Sequence, residues 1–298
     1  MSLGRARRNE PEVAQTGGPG AIVSFDWHGC AAHLEATKQP TIERIERFLA
    51  LPARHEDRLS PSSDGAVVSV RSEDGGALVR TGAWQAWAAG DDQLTYLILE
   101  ALGQVFIEAY AGTVFHAAAF EHDRGTVVIH GPAQSGKTSL LYRAWRRGFT
   151  VISDDRVALE ADCQTVQAFP RCLKLRCHGD AEAAALASGI PSDLFAKAAV
   201  GPDRRIILAR TLPGFLSYGE TRPIRALVQV ERTADETQLE AIEPSAALSV
   251  ALRNIVSSDF NPTAVVHLIK SQADQGSLYR LRIGPDQIDA ALDLLAEI

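Results

Sequence analysis

The stretch from Thr126 to Asp155, TVVIHGPAQSGKTSLLYRAWRRGFTVISDD, constrains this chain more than any other. Thr126 to Ile129 is an apolar, β-branched run that reads as a buried strand. A turn follows from Gly131 to Gly136, and a helix opens at Lys137. From Gly131 to Thr138 the spacing is G-x-x-x-x-G-K-[ST], the pattern of a phosphate-binding loop. Gly131 and Gly136 supply backbone angles that a side chain would forbid. Between them Pro132, Ala133, Gln134 and Ser135 form the turn. The N–H groups of the loop and of the first helical turn, through Ser139, then point at one anion, and the helix dipole adds to the attraction. Lys137 is placed to reach the β- and γ-phosphates of ATP, and the Thr138 hydroxyl to ligate Mg²⁺. A plain glycine turn fits the same eight letters, but a strand before it and an amphipathic helix after it favour the phosphate reading.

The second half of the stretch adds acids. Leu140, Leu141, Ala144 and Trp145 give the helix an apolar face, and Gly148 suits a left-handed helix stop. Phe149 to Ile152 reads as a second buried strand, ending in Ser153-Asp154-Asp155. In a strand–helix–strand unit both strands deliver their C-terminal ends to one sheet edge. The reading therefore brings two neighbouring strands to one point, with Asp154 and Asp155 beside the loop. The plain alternative is a solvated turn.

Composition narrows the class. The chain has 298 residues with 46% hydrophobic and 22% charged, as in soluble globular proteins. A net charge of −7 and a pI near 5.6 argue against a general nucleic-acid binder. No apolar run is long enough for a bilayer, and the basic start has no apolar segment behind it, so neither a membrane partner nor a secretory signal is expected. Cys30, Cys163, Cys172 and Cys177 form no C-x-x-C pair. Cys172, Cys177 and His178 match no common zinc spacing, so reduced thiols in a cytoplasmic protein are expected.

Residues 1–20 read as a disordered tail. Residues 21–112 read as an α+β unit: strands on both sides of His28-Gly29, a helix from Thr41 (as cap) to Leu51, a hairpin at Gly75-Gly76, and a connecting helix from Asp91 to Ala111 capped by Asp91 or Asp92. Trp27 reads as packing. Val114 to Phe120 reads as one strand, in hairpin with the strand that feeds the loop, and His116 on it as an ordinary strand histidine. Further along, Arg171, Lys174 and Arg176 suggest a strand with one basic face. Arg204, Arg205 and Arg210 read as arginines in a loop, Arg204 or Arg205 being candidates for transition-state contact. Pro244 to Val256 reads as a helix, Ala264 to Ile269 as helix or strand, Leu278 to Ile283 as a strand and Pro285 to Ile298 as a closing helix.

His116 in VFHAAAF, the loop GPAQSGKT and RRGFTVISDDRVAL together resemble the catalytic domain of HPr kinase/phosphorylase. The resemblance is closer to the HPr-kinase-like enzymes of peptide biosynthesis clusters, including lasso-peptide precursor kinases. It is specific over Val114 to Leu159 and looser to the C-terminus. It implies an α/β P-loop kinase core of the HPr-kinase/phosphoenolpyruvate-carboxykinase type over residues 113–298. It also implies ATP and Mg²⁺ as cofactors, and as partner a peptide or small protein with an acceptor serine. Carried over, Lys137 and Thr138 bind triphosphate and metal, Asp154 is the base, Asp155 helps hold the metal, and His116 sits near both acids. The reverse order of the two acids stays open. GPDRRIILARTLPGFLSYGETRPIR departs from the glycine-rich signature of HPr kinases, which puts HPr as acceptor and the reverse reaction in doubt. A nucleotide-switched binding protein, an HPr-type serine kinase and a homo-oligomer remain alternatives.

Overall fold

The computed structural model describes residues 21–56, 65–160, 164–257 and 262–298. The tail expected over residues 1–20 and Cys163 lie outside them.

The chain begins with β1 (Ala21–Trp27) and β2 (Cys30–Ala36), joined at His28 and Gly29. Both turn residues have positive φ, 52° and 76°, as a two-residue hairpin requires. Helix α1 (Gln39–Leu49) buries Ile42, Ile45, Phe48 and Leu49. It starts before Thr41, with Lys38 as its cap and a proline in the first turn, where the missing N–H costs nothing. Four strands complete the first sheet's set: β3 (Ala53–Glu56), β4 (Ala66–Glu73), β5 (Gly76–Thr81) and β6 (Trp84–Ala88). Their order is β3-β1-β2-β4-β5-β6. The outer strands β3 and β6 escaped the sequence reading because ARHE and WQAWA lack apolar alternation. Helix α2 (Asp91–Ala109) packs across this sheet through Leu94, Ile98, Leu102 and Val105. Its cap is Gly90; Asp91 and Asp92 sit one step inside, complementing the dipole instead of capping.

The second part holds β7 (Thr113–Phe115), β8 (Ala117–His122), β9 (Gly125–His130), α3 (Lys137–Arg146), β10 (Thr150–Ser153), β11 (Val157–Leu159) and β12 (Thr165–Gln167). It continues with β13 (Leu173–Cys177), α4 (Asp180–Leu186), β14 (Phe195–Val200), β15 (Asp203–Leu208) and β16 (Thr221–Arg232). It closes with β17 (Gln238–Ala241), α5 (Pro244–Arg253), α6 (Pro262–Asp274), β18 (Leu278–Ile283) and α7 (Ile288–Ala296). The large sheet runs β10-β8-β9-β16-β12-β11-β7, with β18 also on β16 and β17 beyond it. β13, β15 and β14 make a separate small sheet.

Three sequence expectations change here. VFHAAAF is two strands broken at His116: β7 pairs with β11, while β8 pairs with β9 and β10. The two strands expected as neighbours, β9 and β10, are separated by β8. Both run antiparallel to β8, so they are parallel to each other and still end on one edge. Arg204 and Arg205 belong to strand β15, not a loop; the buried Ile206, Ile207 and Leu208 that follow them fix it in the small sheet.

Apolar layers hold this arrangement. Ile129, Val151, Val228 and Val230 face Leu140 and Leu141 of α3 and Leu292 of α7. On the other face Val128, Ile152 and Leu227 meet Ala247 and Ala251 of α5 and Val265 and Leu268 of α6. Helices therefore cover both faces of a mixed α/β sheet. The first sheet's core runs without a break into Phe169, Cys172, Ala196 and Ile207. Trp27 sits at that junction, buried, with its Nε1–H donating to the Ala168 carbonyl at 3.1 Å. This packing brings α2 over the end of the small sheet. Cys30, Cys172 and Cys177 are buried free thiols. No described helix is long and apolar enough to cross a membrane.

Candidate active site

Gly131 follows β9 with φ 149°, and a Cβ there would lie 2.2 Å from the Val230 carbonyl oxygen of β16. Only glycine lets the chain turn so close to the parallel neighbour. Gly136 (φ 104°) ends the turn and starts α3, and Gln134 also takes positive φ. Within this turn Gly131 and Ser135 are buried, and the Ser135 hydroxyl has no hydrogen-bond partner among the described residues. Ala133, Gln134, Gly136, Lys137, Thr138 and Ser139 face a cavity of about 640 Å³. Pro132 does not line it. Lys137 Nζ donates to the carbonyls of Gly131 (2.8 Å) and Pro132 (2.9 Å). Burial lowers its pKa, and Asp155 and Asp154 counter that.

Asp154 and Asp155 arrive at the same cavity from the end of β10. Their surroundings differ sharply. Asp154 is buried, its Oδ1 accepting from Thr138 Oγ1 at 2.9 Å and its Oδ2 from the Lys174 backbone N–H at 3.2 Å. Burial, and then the neighbouring Asp155 charge, push its pKa up to about 6. Asp155 has φ 64°, a left-handed conformation unusual for a residue other than glycine. The turn aims its carboxylate into the cavity. His116 Nε2 lies 3.2 Å from Oδ1, Arg156 Nη1 3.1 Å from Oδ1 and Arg171 Nη2 3.2 Å from Oδ2. Burial works to raise its pKa, but the His116 hydrogen bond and the charges of Arg171, Lys174 and Arg156 win, holding it far below the usual carboxylate range.

His116 reaches Asp155 because the chain bends between β7 and β8; its backbone N–H is held by the Asn254 carbonyl at 2.6 Å. The opposite wall comes from distant sequence. Glu100 of α2 pairs with Arg171 at 2.8 Å and also with Lys174. Burial acts to raise the Glu100 pKa, but Lys174 and Arg171 together leave it lowered. Arg176 and Arg205 line the same wall, with Tyr96 one turn before Glu100. Arg204 points elsewhere, to Asp180 at 3.4 Å. Arg210 is buried and donates to the carbonyls of Ile152, Arg171 and Leu216, a framework role that joins β10 to the segment before β13.

Sequence reasoning missed Glu100, Tyr96 and Arg232. Arg232 ends β16, lines the cavity and lays its guanidinium against the start of α3, with Nη2 3.0 Å from a Cβ placed at Gly136. It has no carboxylate partner within ion-pair distance among the described residues. Its signal was available: a charged residue closing the strand parallel to β9 must arrive beside the loop. Among the described residues no three His, Cys, Asp or Glu side chains form a self-sufficient metal cage. An oxygen pair such as Thr138 and Asp154 fits instead a magnesium ion that keeps water and phosphate oxygens as its other ligands.

No protein-family model matches the sequence, and no curated protein does. Among solved structures, the HPr(Ser) kinase/phosphatase from Coxiella burnetii is similar at 13% identity and a TM-score of 0.30, over 62% of this chain and 88% of that one. At that level the neighbour's chemistry remains its own, and this chain's residues must carry any reading of its function.

Proposed function

We propose that the protein is an ATP/Mg²⁺-dependent kinase that transfers the γ-phosphoryl group to a hydroxyl. The acceptor class we infer is a serine of a peptide or small protein, a ribosomal precursor peptide being the case the sequence resemblance implies. One observation carries the reading. Thr138 Oγ1 and Asp154 Oδ1 are hydrogen-bonded at 2.9 Å at the mouth of the loop, while Asp155 is turned into the same cavity. A loop that only holds a nucleotide accounts for Thr138. It does not account for a second carboxylate in a costly backbone conformation, surrounded by His116, Arg156 and Arg171.

Thr138 and Asp154 would hold a magnesium ion, which when bound would supply charge neutralisation on the phosphate oxygens. Lys137 exchanges its two carbonyl partners for phosphate oxygens, a trade that favours the doubly charged pairing. Asp155 receives the acceptor. The serine oxygen forms a bond to the γ-phosphorus, the bond to the bridging oxygen breaks with its electron pair staying on ADP, and the hydroxyl proton passes to Asp155. A carboxylate with so low a pKa is a weak base, which suffices where the proton leaves late in a loose transition state. His116 fixes the orientation of Asp155. The sequence resemblance gave the base role to Asp154 and the metal to Asp155. The geometry favours the reverse, because Asp154 is buried against the Thr138 hydroxyl whereas Asp155 is partly exposed to the cavity.

Incubation with labelled ATP, Mg²⁺ and serine-containing peptides, followed by mass spectrometry, tests the reading. Phosphate should appear on serine with the native chain and vanish with Lys137→Ala. ATP turnover that persists unchanged in Asp155→Asn would instead favour a nucleotide-switched binding protein.

A further inference from the structure

On the wall facing the loop, Arg176 of β13 and Arg205 of β15 stand directly opposite each other in the antiparallel register. Directly opposed residues share one face, and both line the cavity. Like charges in that position destabilise a sheet. Only one of the two is compensated: Arg176 Nε lies 3.1 Å from Asp203, whereas Arg205 meets no carboxylate within ion-pair distance among the described residues. Across the whole cavity lining, lysines and arginines outnumber acids seven to four. A folded chain that keeps an uncompensated guanidinium beside a second one is arranged for an anion it does not itself provide.

The location indicates which anion. The loop side of the cavity has its own cations for phosphate, Lys137 and Arg232. Arg205 lies on β15, in the small sheet whose β13 carries Lys174 and Arg176. Two residues before Arg176, on the same strand face, Lys174 reaches Glu100 of α2, and Arg171 ties Glu100 to Asp155. Tyr96, one turn away on α2, lines the same cavity as Glu100, Arg171, Asp155 and Arg205. The arginine pair therefore sits between the strand wall and α2, on the Asp155 side, where an acceptor approaches.

We propose that Arg205, with Arg176 opposite it, is an acceptor-binding subsite that recognises a carboxylate carried close to the hydroxyl to be phosphorylated; this rests on the kinase reading above. Guanidinium forks match carboxylate geometry in a way that an ammonium does not. The carboxylate comes either from an acidic side chain beside the serine or from the free C-terminus of the peptide.

The test uses the full chain loaded with Mg²⁺ and a non-hydrolysable ATP analogue, titrated with three short serine peptides. One has Glu flanking the serine and both ends blocked. The second has Gln in place of Glu. The third is the Gln peptide ending in a free carboxylate. At least one carboxylate peptide should bind about ten-fold tighter than the blocked Gln peptide, the value of one charge-assisted contact. Arg205→Gln should erase that preference, and Arg205→Lys should restore it only in part. Which carboxylate peptide gains identifies the source. No advantage for either carboxylate peptide, or an advantage that survives Arg205→Gln, overturns the proposal. A change in melting temperature with the preference intact also overturns it, because it marks Arg205 as structural. The nucleotide titration is read separately: analogue binding that ignores Lys137→Ala defeats the kinase reading, whatever the peptides do.

Discussion

The two sides of the cavity are built by different means. On the loop side the lining comes from one short segment between Ala133 and Ser139, and the positive-φ glycines Gly131 and Gly136 set its course. On the facing side they come from long side chains gathered from α2, β13 and β15, and ion pairs set them. A backbone cradle fits any polyphosphate. A wall of side chains can be changed one residue at a time, and under the proposed reading it is the side that would select. The acids at the boundary follow this division. The Asp154 carboxyl is held by the Thr138 hydroxyl and a backbone N–H and its pKa is pushed up to about 6, whereas Asp155 is held by His116, Arg156 and Arg171 and its pKa is driven down.

The largest effect should come from cutting that boundary. Asp155→Ala is expected to lower the transfer rate on the order of 10³-fold, within the range for a positioned proton acceptor. Nucleotide affinity, measured by titration, should remain near that of the native chain. If both fell together, the two sides would not be separable. Next in size is Arg171→Met. Arg171 is buried between Glu100 and Asp155. Removing it leaves two acids without their shared partner, a loss of about 3 kcal/mol read from denaturant unfolding. A loss well below that would mean the wall is loosely held and its selectivity must come from elsewhere.

The same division explains what the sequence disclosed. Contiguous, backbone-driven features were legible: GPAQSGKT, the strand before it, the hairpin at His28-Gly29 and the final strand Leu278–Ile283 all follow from local patterns. The Asp pair was legible as a place, but the division of roles proposed above rests on contacts with the Lys174 backbone and with His116, which come from other parts of the chain. Glu100 looked like one more polar position on an amphipathic helix. Arg205 looked like a loop residue because three charged residues, Asp203, Arg204 and Arg205 itself, precede the buried half of β15. By spacing alone His116 looked ordinary, because the break between β7 and β8 leaves no glycine or proline to mark it; only the family resemblance pointed to it.

Behind the loop, His130 offers a pH-resolved comparison. It is buried with Nδ1 unpartnered among the described residues, and burial together with the nearby Lys137 charge lowers its pKa from 6.5 to about 4. The unfolded chain takes up this proton below 6.5 and the folded chain does not until about 4, so His130 removes stability as pH falls through that window. The full span corresponds to about 3 kcal/mol. Asp154 has the opposite sign: its raised pKa gives stability below 3.8 that is lost as pH rises to about 6. Over the shared range the two slopes oppose each other. His130→Gln should unmask the Asp154 slope, so that the melting temperature falls from pH 4 to pH 6 where the native chain stays nearly level. Parallel curves for the two proteins would mean that neither buried group dominates.

The smallest effect is the one that defines the exception to the division. Arg232 is a side chain on the backbone side, its guanidinium set against Gly136 and the positive end of α3. Such a placement is unfavourable without an anion and favourable with a phosphate between them. Arg232→Ala should therefore weaken binding of a non-hydrolysable ATP analogue about ten-fold, close to 1.4 kcal/mol. It should leave the unfolding midpoint of the nucleotide-free chain unchanged or slightly higher, since a repulsion is removed. Its KM for a peptide acceptor at saturating ATP should not move. If analogue binding held and the acceptor KM rose, Arg232 would belong with Arg205, and charge from β16 would serve the wall that selects and not the cradle that holds.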